Sequence, residues 1–155
     1  MNTRGVLLLL LVVFVLSSCQ TNNLSNIPKI GLISFGPPYI TINQDTCEMQ
    51  FTIEDGNADL GNPKIGNNFD IYIKDFRFDT GYAGYFFPEI DGSIKDPEKG
   101  FIGTCYFYFT PYILLPRTDS LHMATGDTTY FEVYVVDQAG NESNHFVTPK
   151  VILTY

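Results

Sequence analysis

Hydrophobic residues recur at every second position in four separate stretches of this chain, and that period leaves room for little except strands. In Cys47-Glu48-Met49-Gln50-Phe51-Thr52-Ile53-Glu54 the odd positions are apolar and the even ones polar. Phe69, Ile71 and Ile73 alternate with Asp70, Tyr72 and Lys74. Phe101, Cys105, Phe107 and Phe109 share one parity, and Phe131, Val133 and Val135 alternate with Tyr130, Glu132 and Tyr134. Side chains of a strand point to opposite faces in turn, so each stretch predicts a half-buried strand. Weaker patterns at 30–35, 83–87 and 146–153 predict three more. No amphipathic helix is legible after residue 18. Glycine and proline fall in the gaps, as at Gly36-Pro37-Pro38, Gly56, Gly61, Asp96-Pro97 and Gly140. Seven short strands separated by turns predict an all-β fold, an antiparallel immunoglobulin-like sandwich over 30–155. In chain order the strands take places A to G of that fold. Residues 110–128 read as a crossover or long loop, with Leu114 and Leu115 tucked against the core.

The N-terminus carries a different signal. Arg4 is followed by eleven uninterrupted apolar residues, 6–16. That run is too short to span a bilayer, which takes about 20 residues, and it fits the apolar region of a secretory signal peptide. It closes on Leu16-Ser17-Ser18-Cys19, which resembles a bacterial lipobox. The resemblance implies cleavage after residue 18 and acylation of Cys19 with diacylglycerol and a fatty acid such as palmitate. Several chains on one residue anchor stably, since each buried methylene contributes about 0.8 kcal/mol. Residues 1–18 are therefore expected to be a lipoprotein signal peptide. Residues 19–29 form the lipidated cysteine and a polar tether. The expected address is the bacterial cell envelope, anchored by lipid to the outer membrane and facing the periplasm or the exterior. With Arg4 removed, one fewer than the nine basic residues of the full chain would face 17 acidic ones. Such a chain has no basic cluster for nucleic acid.

Two polar, glycine-bearing loops stand out. Asp55-Gly56-Asn57-Ala58-Asp59-Leu60-Gly61-Asn62 joins the second and third strands, and Asp137-Gln138-Ala139-Gly140-Asn141-Glu142-Ser143-Asn144 joins the last two. In an immunoglobulin-like sandwich these loops lie at the same end. Asp55, Asn57, Asp59, Asp137 and Asn141 are then candidate ligands for calcium, which takes six to eight oxygens. An EF-hand is excluded: Leu60 stands where its glycine belongs, Gly66 where its closing glutamate belongs, and no helices flank the loop. The competing reading is turn chemistry, in which Asp and Asn side chains bond their own backbone.

These segments carry a resemblance. Phe51 to Gly61, Asp70 to Asp75 and Tyr134 to Asn144 together resemble a group of small Bacteroidetes lipoproteins. That group has an acidic D-G-D-G-D-[IL]-G loop early and a D-x-A-G-N-x-S-N turn late. Here Asn57 and Ala58 replace an aspartate and a glycine. The resemblance implies an envelope lipoprotein with an immunoglobulin-like domain and no known catalytic activity. Surface-exported members often carry acidic residues just after the cysteine. Residues 20–23, Gln-Thr-Asn-Asn, carry none, which favours the periplasmic leaflet.

Other constellations are thinner. Cys47 and Cys105 fall on the inward parity of neighbouring strands, so they are a candidate disulfide or two buried thiols. Tyr106, Tyr108, Tyr130 and Tyr134 fall on outward positions and are candidates for stacking on a glycan. Strands favour tyrosine in any case. His122 and His145 lie in no metalloprotease motif, and no nucleophile elbow is present. Glu89, Asp91, Asp96 and Glu98 read as a solvated acidic loop. The expected role is structural or protein-interacting rather than enzymatic, with an envelope protein or a glycan as partner. Carbohydrate binding and calcium-dependent adhesion are the alternatives.

Overall fold

The computed structural model describes residues 24–61, 69–88, 90–109 and 125–154. The signal segment, Cys19, His122 and most of the 110–128 segment lie outside them. Ten strands are described, in the order β1 Lys29–Gly36, β2 Tyr39–Thr41, β3 Cys47–Asp55, β4 Ile71–Asp75 and β5 Ala83–Tyr85, then β6 Phe101–Phe109, β7 Asp127–Thr129, β8 Phe131–Val135, β9 Phe146–Val147 and β10 Val151–Thr154.

The first sheet runs β1-β3-β6, antiparallel throughout. Its central strand, β3, alternates strictly between buried and half-buried residues along its nine positions, as the period-two sequence requires. The second layer consists of a four-stranded sheet, β5-β4-β8-β9, and a three-stranded one, β2-β10-β7. These two are continuous. Strands β7 and β8 are one course of chain interrupted at Tyr130. Their partners β9 and β10 are another, interrupted at 148–150. Thr148 spans the gap: its N–H donates to Phe131 O at 2.9 Å, and its Oγ1 accepts the Phe131 N–H at 2.9 Å. Pro149 has no N–H to continue the ladder, so a break there is expected.

Read across, the layers are A-B-E against A′-G-F-C-C′ in immunoglobulin lettering, and the chain is an all-β, immunoglobulin-like sandwich. Two details differ from the sequence reading. The strand predicted over 83–87 pairs with β4 rather than with the first sheet, so it takes the C′ place and not D. The short strand β2 was not anticipated. It pairs parallel with β10, and Ile152 N–H donates to Pro38 O at 2.9 Å.

Facing side chains fill the space between the layers. Met49, Phe51 and Ile53 from β3 meet Phe131, Val133 and Val135 from β8, with Ile71, Ile73, Val151 and Leu153 completing one cluster. Full burial of a side chain such as Phe51 contributes about 1.5–3 kcal/mol. Cys47 and Cys105 are free thiols. The register pairs Cys47 with Phe109 and Cys105 with Phe51, which corrects the candidate bridge. At about 3.3 Å per residue they stand roughly 13 Å apart along the ladder, beyond the 7 Å or so that a disulfide spans.

Candidate functional site

The loop after β3 and the loop after β8 meet. Asp59 O accepts the Gln138 N–H at 3.3 Å, joining one loop to the other through the backbone. Within the first loop, Asp55 Oδ2 accepts the Asp59 N–H at 2.9 Å and folds the segment back on itself. Ala58 takes φ +53° to allow this, a left-handed conformation uncommon for a residue other than glycine. In the second loop, Asp137 Oδ1 accepts the Asn141 N–H at 2.7 Å and Oδ2 accepts Asn141 Nδ2–H at 2.8 Å.

These turns place carboxylate oxygens of Asp55, Asp59 and Asp137 within 4.8 Å of one another. A calcium ion with bonds of about 2.4 Å reaches oxygens that far apart. Asp55 is fully buried and Asp137 is 7 % exposed. Turn chemistry accounts for only part of the polar surface. Asp55 Oδ1, Asn57 Oδ1 and Asp59 Oδ1 are buried with no hydrogen-bond partner. A buried carboxylate oxygen without a partner costs about 1–3 kcal/mol or more. Native proteins rarely leave such groups unless a water or an ion completes them.

The electrostatics agree with this geometry. Burial pushes the Asp55 carboxyl up to about 6, and the charge of Asp59 adds to it. Hydrogen bonds from the backbone of Asp59 and Asn57 offset this only in part, and Asp137 raises it further. Asp59 is also raised, by burial and then by Asp137. A divalent cation would relieve both causes, replacing lost hydration and neutralising like charges. All of the donors are hard oxygens, the set that suits calcium or magnesium rather than a transition metal.

Of the five ligand candidates, the structure brings the three aspartates together. Asn57, in the same loop as Asp55 and Asp59, has a buried Oδ1 without a hydrogen-bond partner. Asn141 spends its amide on holding Asp137 and orients that carboxylate. Three contributors escaped the sequence reading: Gln138 through its N–H, and Ser25 and Asn144, which fasten these loops to the start of the domain. Asn144 sits in the late turn motif, but its partner is 114 residues away and leaves no local signal.

The tyrosines do not form one platform. Tyr106 and Tyr108 are exposed on β6 in the first sheet, while Tyr134 is on β8 in the second layer and Tyr130 stands in the break just before β8. Tyr134 stacks on Tyr72 at 4.8 Å and on His145 at 4.6 Å, and Tyr130 stacks on Phe76 at 4.3 Å. Those ring faces are already in use. His145 is exposed, bound to Glu142 at 2.8 Å and Glu132 at 3.1 Å. A cavity of about 520 Å³ is lined by Ile73, Asp75, Tyr82, Tyr85, Phe109 and Phe131 among others, and includes none of the clustered aspartates. Its carboxylate, Asp75, is held by Arg77 Nη2 at 2.6 Å and by Thr129 Oγ1 at 2.6 Å, so it is committed to structure.

No family model matches this sequence, and no curated protein matches it. Among solved structures the chain is similar to the PKD domain of an M14-like peptidase from Thermoplasmatales archaeon SCGC AB-540-F20. The two are 18% identical with a TM-score of 0.40, over 86% of this chain and 99% of that one. The fold assignment rests on the strand pairing described above.

Proposed function

We propose that this chain is a lipid-anchored, non-catalytic interaction domain of a bacterial envelope whose loop end is closed by a calcium ion. The observation that carries the reading is the trio Asp55, Asp59 and Asp137, with buried carboxylate oxygens of Asp55 and Asp59 left without partners. Asp55 and Asp59 come from one loop and Asp137 from the other, so the ion would tie the two together. Its role is structural: it fixes the shape of the surface that a partner meets. The lipid anchor rests on the apolar run 6–16 and on Leu16-Ser17-Ser18-Cys19. The carbohydrate alternative has less support, since Tyr130 and Tyr134 already stack on neighbours.

Thermal unfolding of the full chain in detergent, with calcium and then with a chelator, tests the ion. A ligand that binds only the folded state stabilises it by RT ln(1 + [L]/Kd), about 2.7 kcal/mol at a hundredfold excess. A rise of several degrees in calcium, lost in Asp55→Ala, is the expected result. No shift at millimolar calcium overturns the reading. The anchor is tested separately: Cys19→Ala should leave the membrane fraction, and retention there would remove the lipid.

A further inference from the structure

The loops that carry the carboxylates also grip the point where the chain enters the sandwich. Gly56, the residue after Asp55, donates its N–H to Ser25 O at 2.7 Å. The contact is so close that a Cβ at Gly56 would lie 2.6 Å from Leu24 O and 2.8 Å from Ser25 C. The other loop holds the same segment from a second direction. Asn144 Oδ1 accepts the Ile30 N–H at 2.9 Å, and Asn144 Nδ2–H donates to Ile30 O at 2.8 Å. Residues 24–30 are thus pinned at both ends, once by each loop of the carboxylate cluster.

We infer that the cation site governs the root of the N-terminal tether; this rests on the calcium reading above. Without a cation, the charges of Asp55, Asp59 and Asp137 repel across the junction of the two loops, and any separation pulls on both pins. With the ion bound, the arrangement that holds both pins is the one favoured. An ion shifts an equilibrium only by its differential affinity for the two states, and here the difference is whether the loops stand together. Freeing 24–28, the residues that precede β1, would lengthen the tether by five residues, about 17 Å when extended. Calcium therefore sets how far, and at what angle, the domain stands from whatever its N-terminal segment is attached to.

Hydrogen exchange of the full wild-type chain in detergent tests this, with calcium against chelator and the amides of Gly56 and Ile30 as readouts. Calorimetric titration with calcium chloride runs alongside. The expected result is that calcium slows both amides about tenfold or more. Coupling is reciprocal, so Asn144→Ala, whose side chain bonds the Ile30 backbone and is not a proposed ligand, should weaken calcium binding about fivefold or more. Calcium binding that leaves both amides unchanged overturns the tether control and spares the metal site. No calcium binding overturns both. The exchange comparison uses the unmodified chain, so it decides the matter even where the variant fails to fold.

Discussion

Asp55 accepts the backbone N–H of Asp59 through Oδ2, 2.9 Å away, while its other oxygen, Oδ1, is buried without a partner. One oxygen thus builds the turn and the other faces an unmet demand. This division makes Asp55→Asn informative. The amide keeps an oxygen for the Asp59 N–H but removes a buried charge beside two others. In chelator the variant should be more stable than the native chain, by about 1–3 kcal/mol. In millimolar calcium the order should invert, because a ligand has been lost. Denaturant melts under both conditions check it. The same sign in both would mean that the cluster binds no cation.

Gly56 argues the same junction from sterics. A methyl group there meets backbone atoms of Leu24 and Ser25, which cannot swing aside as a side-chain tip can. Gly56→Ala should cost about 1–3 kcal/mol through overpacking, read as a lower midpoint in denaturant. Gly92→Ala, where nothing stands within 4 Å, is the control and should change little.

Legibility in the sequence followed the regularity of the backbone. Strand β3 was plain because its alternation is unbroken from Cys47 to Asp55. Strand β1 was weaker because its register shifts between Leu32 and Ser34, which leaves Ile33 half exposed and spoils the period. Strand β2 is three residues long, and a parallel pairing with β10 has no local signature. The carboxylate trio was within reach because the fold brings its two loops to one end. The pins of Gly56 on Ser25 and Asn144 on Ile30 were not, since backbone-directed contacts between distant residues write nothing into the pattern. The candidate cysteine bridge failed for a related reason: parity gives the face of a strand, not its register.

The two thiols make a chemical prediction. Burial pushes Cys47 up to about 12 against the opposing effect of a backbone hydrogen bond involving Gly36, and burial alone takes Cys105 to about 12. The thiolate is the reactive form, so neither should react in the folded chain at pH 8. Mass mapping after iodoacetamide should find both unmodified under native conditions and both alkylated in guanidinium. A disulfide-linked peptide pair from the untreated chain would overturn the register.

His145 gives a pH dependence whose sign follows from its partners. Burial pulls the imidazole down, but hydrogen bonds to Glu142 and Glu132, together with their charges, outweigh it and hold the pKa above the ordinary 6.5. Tyr134 stacks on the ring, and Tyr82 donates its hydroxyl proton to Glu132 at 2.6 Å, so Glu132 is kept in place to serve the imidazolium. A group whose pKa is raised on folding stabilises the fold fully below its unfolded value and loses that contribution as pH rises through the folded one. Stability should therefore fall as pH rises from the unfolded value of about 6.5 through the folded pKa, and His145→Gln should flatten that slope. The proton resonance of the His145 ring, identified by its loss in the same variant, should titrate with a midpoint above 6.5. Glu142→Gln should move that midpoint down, because it removes a charge and weakens the shorter of the two bonds. A midpoint at or below 6.5 in the native chain would mean that burial, not the glutamate pair, governs this ring.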